Sequence, residues 1–178
     1  MAEQPEPWLR GPLADLDPIL SAVIRSFEQV REDLALHTKG LSTEQVWSRP
    51  PGGAPHGLAP LGFQLRHIAG SVDRLSTYLK GEALNDEQLR MLRSEMDPGA
   101  SLKELLAEID RTLSRVSDEV RVFDAAQFGE LRYIGRQRLP VTAGGLIVHI
   151  AEHTQRHLGQ AISAAKLARA SSGNGPNG

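Results

Sequence analysis

From Asp17 to His37 the apolar residues Ile19, Leu20, Val23, Ile24, Phe27, Val30 and Leu34 recur at intervals of three and four. On a helix turning about 100° per residue, that spacing lines one face. The same period returns three times. Leu61, Ile68, Val72, Leu75 and Leu79 predict a helix over 60–80, with Pro60 tolerated in its first turn and Gly81 as its stop. Leu102, Leu105, Leu106, Ile109, Leu113 and Val116 predict another to about Val122, opened by the capping-box pattern Ser101-Leu-Lys-Glu104. An alanine-rich segment from a Thr142 cap to about Ala170 supplies a fourth. Four one-sided helices without a competing strand pattern can bury their stripes only against one another, so the expected fold is all-α, a four-helix bundle.

The segments between the helices are long. Residues 40–60 hold four prolines and the run Pro50-Pro-Gly-Gly, which reads as a connecting loop with little internal order. A short, charged helical piece is expected at Asp86 to Met96. Residues 123–140 show no clean period and are expected to be loop with at most a short extended pair, and the run Arg132-Tyr-Ile-Gly-Arg-Gln-Arg138 within them reads as a solvated connection. Trp8 and Trp47 fall outside the main helices, where they can pin the N-terminal segment and the long loop to the bundle or cover a pocket or dimer surface. With 178 residues the chain suits a single domain over 1–170, since chains of about this size bury roughly two thirds of their unfolded surface. The ending Ser-Ser-Gly-Asn-Gly-Pro-Asn-Gly178 has nothing to bury and is expected to be a disordered tail over 171–178.

Charge and composition narrow the function. Twenty basic residues against twenty-two acidic ones give a formal charge of −2, with no basic stripe for nucleic acid or an anionic membrane. The acidic, proline-containing start Met-Ala-Glu-Gln-Pro-Glu-Pro-Trp8 is unlike a secretion signal, and no apolar run approaches the roughly 20 residues that span a bilayer, so a cytoplasmic protein is expected. The absence of cysteine excludes disulfides, thiolate metal sites and a cysteine nucleophile. Any thiol chemistry has to use a thiol that a substrate brings.

His149, His153 and His157 stand four residues apart. Each step rotates about 40° and climbs about 6 Å along a helix, close enough for neighbouring imidazoles to meet on one ion. Around His153, residues Leu146, His149, Ile150, His157, Gln160 and Ala164 fall within about 60° on the helical wheel, while Glu152, Gln155, Ser163 and Lys166 lie opposite, so the histidine face borders the buried one. On the second long helix His67 shares its side with Phe63, Ser71, Arg74 and Tyr78, adjoining the apolar stripe. Burying several imidazoles leaves ring nitrogens that each cost about 1–3 kcal/mol if unsatisfied, and a shared divalent ion satisfies one on every ring. Spacing alone leaves open whether His149 with His153, or His153 with His157, joins His67. His-Glu-x-x-His is absent, so the segment is not that metalloprotease motif. His37, at a helix end, and His56, in the Gly/Pro loop, read as structural or surface residues.

Leu61-Gly-Phe-Gln-Leu-Arg-His-Ile-Ala-Gly-Ser-Val-Asp-Arg-Leu75 and Leu146-Ile-Val-His-Ile-Ala-Glu-His-Thr-Gln-Arg-His-Leu-Gly-Gln160 together resemble the DinB-like superfamily. The resemblance implies an up-down-down-up bundle, a homodimer, and a divalent metal held by His67, His153 and His157. His157-Leu-Gly-Gln160 resembles the His-x-Gly-Gln ending of that family, which makes His157 the last ligand and His149 a pocket neighbour. Ligation by imidazole alone suits zinc or nickel, and also accommodates iron or copper. Three neutral ligands leave the ion its full charge and an open position. The expected function is a metal-dependent enzyme, transferase or hydrolase, that activates a low-molecular-weight thiol or water against a small electrophilic substrate. Its rival is a non-catalytic, metal-stabilised bundle or a metal or stress sensor. No general base is evident, and the sequence assigns no catalytic residue; Tyr78, Arg74 and Gln160 are the polar side chains placed to orient a bound group.

Overall fold

A computed structural model describes residues 4–49 and 58–173. Four long helices carry the architecture: α1 (Pro18–Thr38), α3 (Leu61–Leu79), α5 (Leu102–Arg121) and α6 (Ala143–Gly173). Between them lie α2 (Thr43–Trp47), α4 (Asp86–Arg93) and a hairpin of β1 (Leu131–Ile134) and β2 (Leu139–Thr142). Short 3-10 turns at Pro7–Leu9 and Ala125–Gly129 precede α1 and the hairpin. Residues 50–57, with His56, and residues 174–178 of the expected tail lie outside the described residues, and α6 continues through 171–173.

Helix α1 packs on α5 and α6, and α3 packs on the same two, so α1 and α3 face each other across a diagonal. Side-chain ties give the directions. Gln155 donates to Ser26 and Arg169 to the carbonyls of His37 and Lys39, so α6 runs parallel to α1. Gln64 meets His157 and His67 meets His153, so α3 runs antiparallel to α6. Arg115 pairs with Asp73 and Lys80 with Glu119, which makes α5 parallel to α3. The order is therefore up-down-down-up. Because α3 and α5 point the same way, the chain between them must travel back along the bundle, and α4 forms on that return.

The predicted stripes, joined by Leu65 of α3 and Ile147 of α6, fill the core. Phe27, Val30 and Leu34 of α1, Leu65, Ile68 and Val72 of α3, Leu113 and Val116 of α5, and Ile147 and Ile150 of α6 are almost wholly buried. Ile19 is exposed, and Leu75, Leu102 and Leu106 lie at the margin of the core. Starts fall where side chains satisfy the first free N–H groups: Asp17 caps α1, Ser101 and Glu104 form a reciprocal box on α5, and Thr142 accepts from Gly145 at 3.1 Å.

Two connecting segments are more ordered than their composition implies. Within the loop expected at 40–60, Ser42 and Gln45 build a capping box, and α2 buries Val46 completely. Trp47 then lies on Gly62 of α3, donates from Nε1 to the Ala100 carbonyl at 2.8 Å and receives the Arg66 guanidinium over its ring. Trp47 thus pins the crossover, whereas Trp8 is exposed and bonds locally to Glu6. The extended pair after α5 is an antiparallel hairpin in which Arg132 faces Val141 and Tyr133 faces Pro140. Arg132 donates to the Leu79 carbonyl at the end of α3, and Arg138 covers the Tyr133 ring.

Candidate metal centre

Helix α3 presents His67 and α6 presents His153 and His157 to a common point between the two helices. One ligand nitrogen from each lies within 4.8 Å of the others. Nε2 of His67 approaches Nε2 of His153 to 3.1 Å, and the His157 ring lies 4.3 Å from that of His67 and 4.6 Å from that of His153, centroid to centroid. Two ligand atoms bound tetrahedrally about 2.0–2.1 Å from zinc stand roughly 3.3 Å apart, so the 3.1 Å approach is close to ligand spacing.

The outward ring nitrogens are held. Nδ1 of His67 bonds Oε2 of Glu95 at 2.7 Å, and Nδ1 of His157 bonds Oε1 of Gln64 at 2.8 Å. A carboxylate or amide oxygen can only accept, so both Nδ1 atoms carry a proton, and in the neutral rings both Nε2 lone pairs are left for a shared partner. Phe63 stacks on the outer face of His67 at 5.4 Å. All three histidines are half-buried. Burial, then the neighbouring imidazoles of His67 and His153, pushes His157 down to about 4, and burial likewise lowers His153. Neutral rings, the form that binds metal, are thereby favoured at ordinary pH.

His149 does not join the cluster. It is exposed, its Nδ1 lies 3.2 Å from Glu152, and among the described residues its ring neighbours that of His153 alone, at 5.4 Å. The two registers left open by spacing are thus separated by the crossing of α3, which meets α6 at the level of His153 and His157. Arg74 reaches the site indirectly, through Glu95, which it meets at 2.8 Å. Tyr78 stands eleven residues beyond His67, about 16 Å along the helix, in a cleft of about 490 Å³ shared with Arg132, Tyr133 and Arg138. Gln160 is half-buried one turn beyond His157. His37 accepts from Arg169 through its carbonyl, away from the site.

The sequence reading missed Glu95 and Gln64. Gln64 sits three residues before His67 and could have been found on the wheel. Glu95 could not, because it lies on a turn after α4, where Ser94 closes the helix onto the carbonyls of Arg90 and Met91 and Arg66 donates to the carbonyls of Ser94 and Asp97.

Residues 26–161 match the DinB superfamily along their length. The chain belongs to the DinB superfamily. Solved structures agree on the DinB fold: a conserved protein from Enterococcus faecalis superposes with a TM-score of 0.67 at 13% identity, covering 83% of this chain and 95% of its own. A DinB-like protein from Bacillus cereus gives 0.61 at 12% identity, covering 85% of this chain and 91% of its own. YfiT from Bacillus subtilis, reported as a probable metal-dependent hydrolase with an unusual four-helix bundle topology, gives 0.62 at 17% identity, covering 91% and 93%. No curated protein matches the chain. At these identities the DinB fold is what the likeness establishes.

Proposed function

We propose that this protein holds a divalent metal through Nε2 of His67, His153 and His157 and is a metal-dependent enzyme acting on a small electrophilic substrate with water or a low-molecular-weight thiol. The observation that carries the reading is the 3.1 Å approach of two imidazole Nε2 atoms whose partner cluster has its Nδ1 protons anchored on Glu95 and Gln64. Two neutral nitrogens facing each other repel unless a proton or a cation lies between them, and three such rings fit a cation best. When bound, such an ion supplies Lewis acidity, enough to bring the pKa of water to about 7 or to deprotonate a thiol.

The protein's own groups hold and shield. Gln64 and Glu95 fix the ring orientations, and Phe63 walls the side of His67. With no cysteine in the chain, a thiol nucleophile comes with the substrate. The hydrolase description of YfiT supports water as the nucleophile, and the cysteine-free imidazole set equally accommodates thiol transfer. Zinc or nickel suits these ligands, with iron and copper also compatible. A homodimer in the cytoplasm, without nucleic-acid or membrane partners, belongs to the same reading. The near-neutral charge supports the part without nucleic acid, and among the described residues no helix is long and apolar enough to cross a membrane; the homodimer rests on the family resemblance.

A second reading takes support from the placement of the ligands on two antiparallel helices: an ion there would tie α3 to α6 without catalysis, as a structural or sensing site. Elemental analysis of protein purified without nickel resin tests both. About one ion per chain is expected in wild type and in His149→Ala, and loss in His67→Ala, His153→Ala and His157→Ala. Failure of wild type to take up zinc or nickel overturns the metal reading. A coordination position that exchanges with small anions or thiols supports the enzyme, and a closed one supports the structural site.

A further inference from the structure

Glu95 is buried, 5% exposed, yet it is charged and comes from a turn outside the long helices. Three features hold it. Its Oε2 takes the Nδ1 proton of His67, its Oε1 lies 2.8 Å from Nη2 of Arg74, and Arg74 is itself buried. With a guanidinium on one oxygen and an imidazole N–H on the other, Glu95 meets His67 as a carboxylate.

The pair lies against the backbone of α3 at Gly70. A Cβ at that position would stand 2.6 Å from Nη1 of Arg74 and 2.9 Å from Oε1 of Glu95, closer than carbon tolerates. Glycine in the middle of a helix costs about 1 kcal/mol relative to alanine. Here it leaves a notch that the Arg74–Glu95 pair occupies, one turn from His67. Behind the pair a cavity of about 210 Å³, lined in part by Arg66, Asp73 and Glu108, gives the pair room to shift.

We propose that Glu95, seated by Arg74 in the Gly70 notch, is a positioning residue that sets the tautomer and donor strength of His67 at the metal centre. The inference rests on the metal reading given above. A carboxylate accepting from Nδ1 makes imidazole a more basic ligand at Nε2, while the Arg74 guanidinium draws on the same carboxylate and limits how much charge Glu95 passes on. The unit is thus a balance set by charge on both sides, unlike the neutral Gln64 that orients His157. Partners of this kind alter metal affinity by about 10–100-fold when changed.

The test is a zinc competition titration against a chromogenic chelator, with the visible spectrum of the cobalt-loaded protein, for wild type, Glu95→Gln and Gly70→Ala. Glu95→Gln keeps an acceptor oxygen and removes the charge; its zinc affinity should fall about tenfold or more, with altered cobalt bands. Gly70→Ala leaves every charge in place, and the ends of Arg74 and Glu95 can yield into the cavity behind them, so the metal-free protein should keep its helix content. It should still weaken zinc binding about tenfold, because only the flexible ends of Arg74 and Glu95 can yield to the new methyl. Wild-type affinity and spectrum in both variants would overturn the proposal while leaving the metal site intact. Absence of zinc binding by wild type would overturn the metal reading and this inference with it.

Discussion

If the three histidines hold a metal as proposed, protons compete with it for the same nitrogens. His157 is pushed down to about 4, chiefly by burial and then by its imidazole neighbours, and His153 is lowered for the same first reason. Both folded-state values lie below the unfolded value of about 6.5, so between about pH 6.5 and 4 the unfolded chain binds more protons than the folded one. Stability of the chelated protein is therefore expected to be flat above about pH 7 and to fall as the pH drops through that window. His157→Gln should lessen the fall, since glutamine does not titrate. Urea titrations at pH 8, 6 and 5 measure it; an identical pH slope in wild type and variant would show that His157 is not the group responsible. Bound metal should leave in the same window, because each ligand must be neutral.

Among elements, what could be read from the sequence was whatever has a period. The stripes of α1, α3 and α5 repeat over about four to five turns, α6 shows as an alanine-rich run behind its Thr142 cap, and His67, His153 and His157 could be placed on helices because those helices were visible. Helix α2 has only five residues, too few for a period, and its signal is the Ser42/Gln45 box set among prolines and glycines. The hairpin depends on pairing between Leu131–Ile134 and Leu139–Thr142, a contact that neither strand encodes alone. Glu95 belongs to the site only because α4 stops at Arg93 and the next turn folds back toward α3. Spacing could not choose between His149 and His157; the resemblance to the DinB-like superfamily did, and the crossing of α3 and α6 brings the same three rings together. The close approach of Trp47 to Gly62 yields a prediction at this scale. A Cβ on Gly62 would sit 2.6 Å from the indole, which is anchored by its bond to Ala100 and by Arg66, so the ring cannot simply swing aside. Gly62→Ala should destabilise by about 1–3 kcal/mol as overpacking, despite its better helix propensity, and chemical denaturation measures this. A variant as stable as wild type would mean that the Trp47 clasp contributes little.

At the scale of the whole bundle, the ligands proposed for a metal come from helices whose facing histidines, His67 and His153, are 86 positions apart in the chain. An ion held there closes a contact between α3 and α6, but the core beneath it does not depend on that closure. Leu65 and Ile68 of α3 and Ile147 and Ile150 of α6 are buried with no exposed surface to speak of, and α1 and α5 cover the remaining faces. This is unlike a small zinc domain, whose apolar core is too small to fold without metal. The metal-free protein should keep its helix content by far-UV circular dichroism. Free zinc at about 100 times its dissociation constant should add about 2.7 kcal/mol, a rise in Tm of roughly 5–10 °C for a chain of this size. His67→Ala removes the ligand proposed on α3 and should abolish the rise, whereas His149→Ala, at an exposed residue beside Glu152, should retain it. If the chelated protein lost its helices, the core would be incomplete without the ion. If His67→Ala kept the full shift, zinc would be acting elsewhere on the surface, and the link between α3 and α6 would not be what stabilises the bundle.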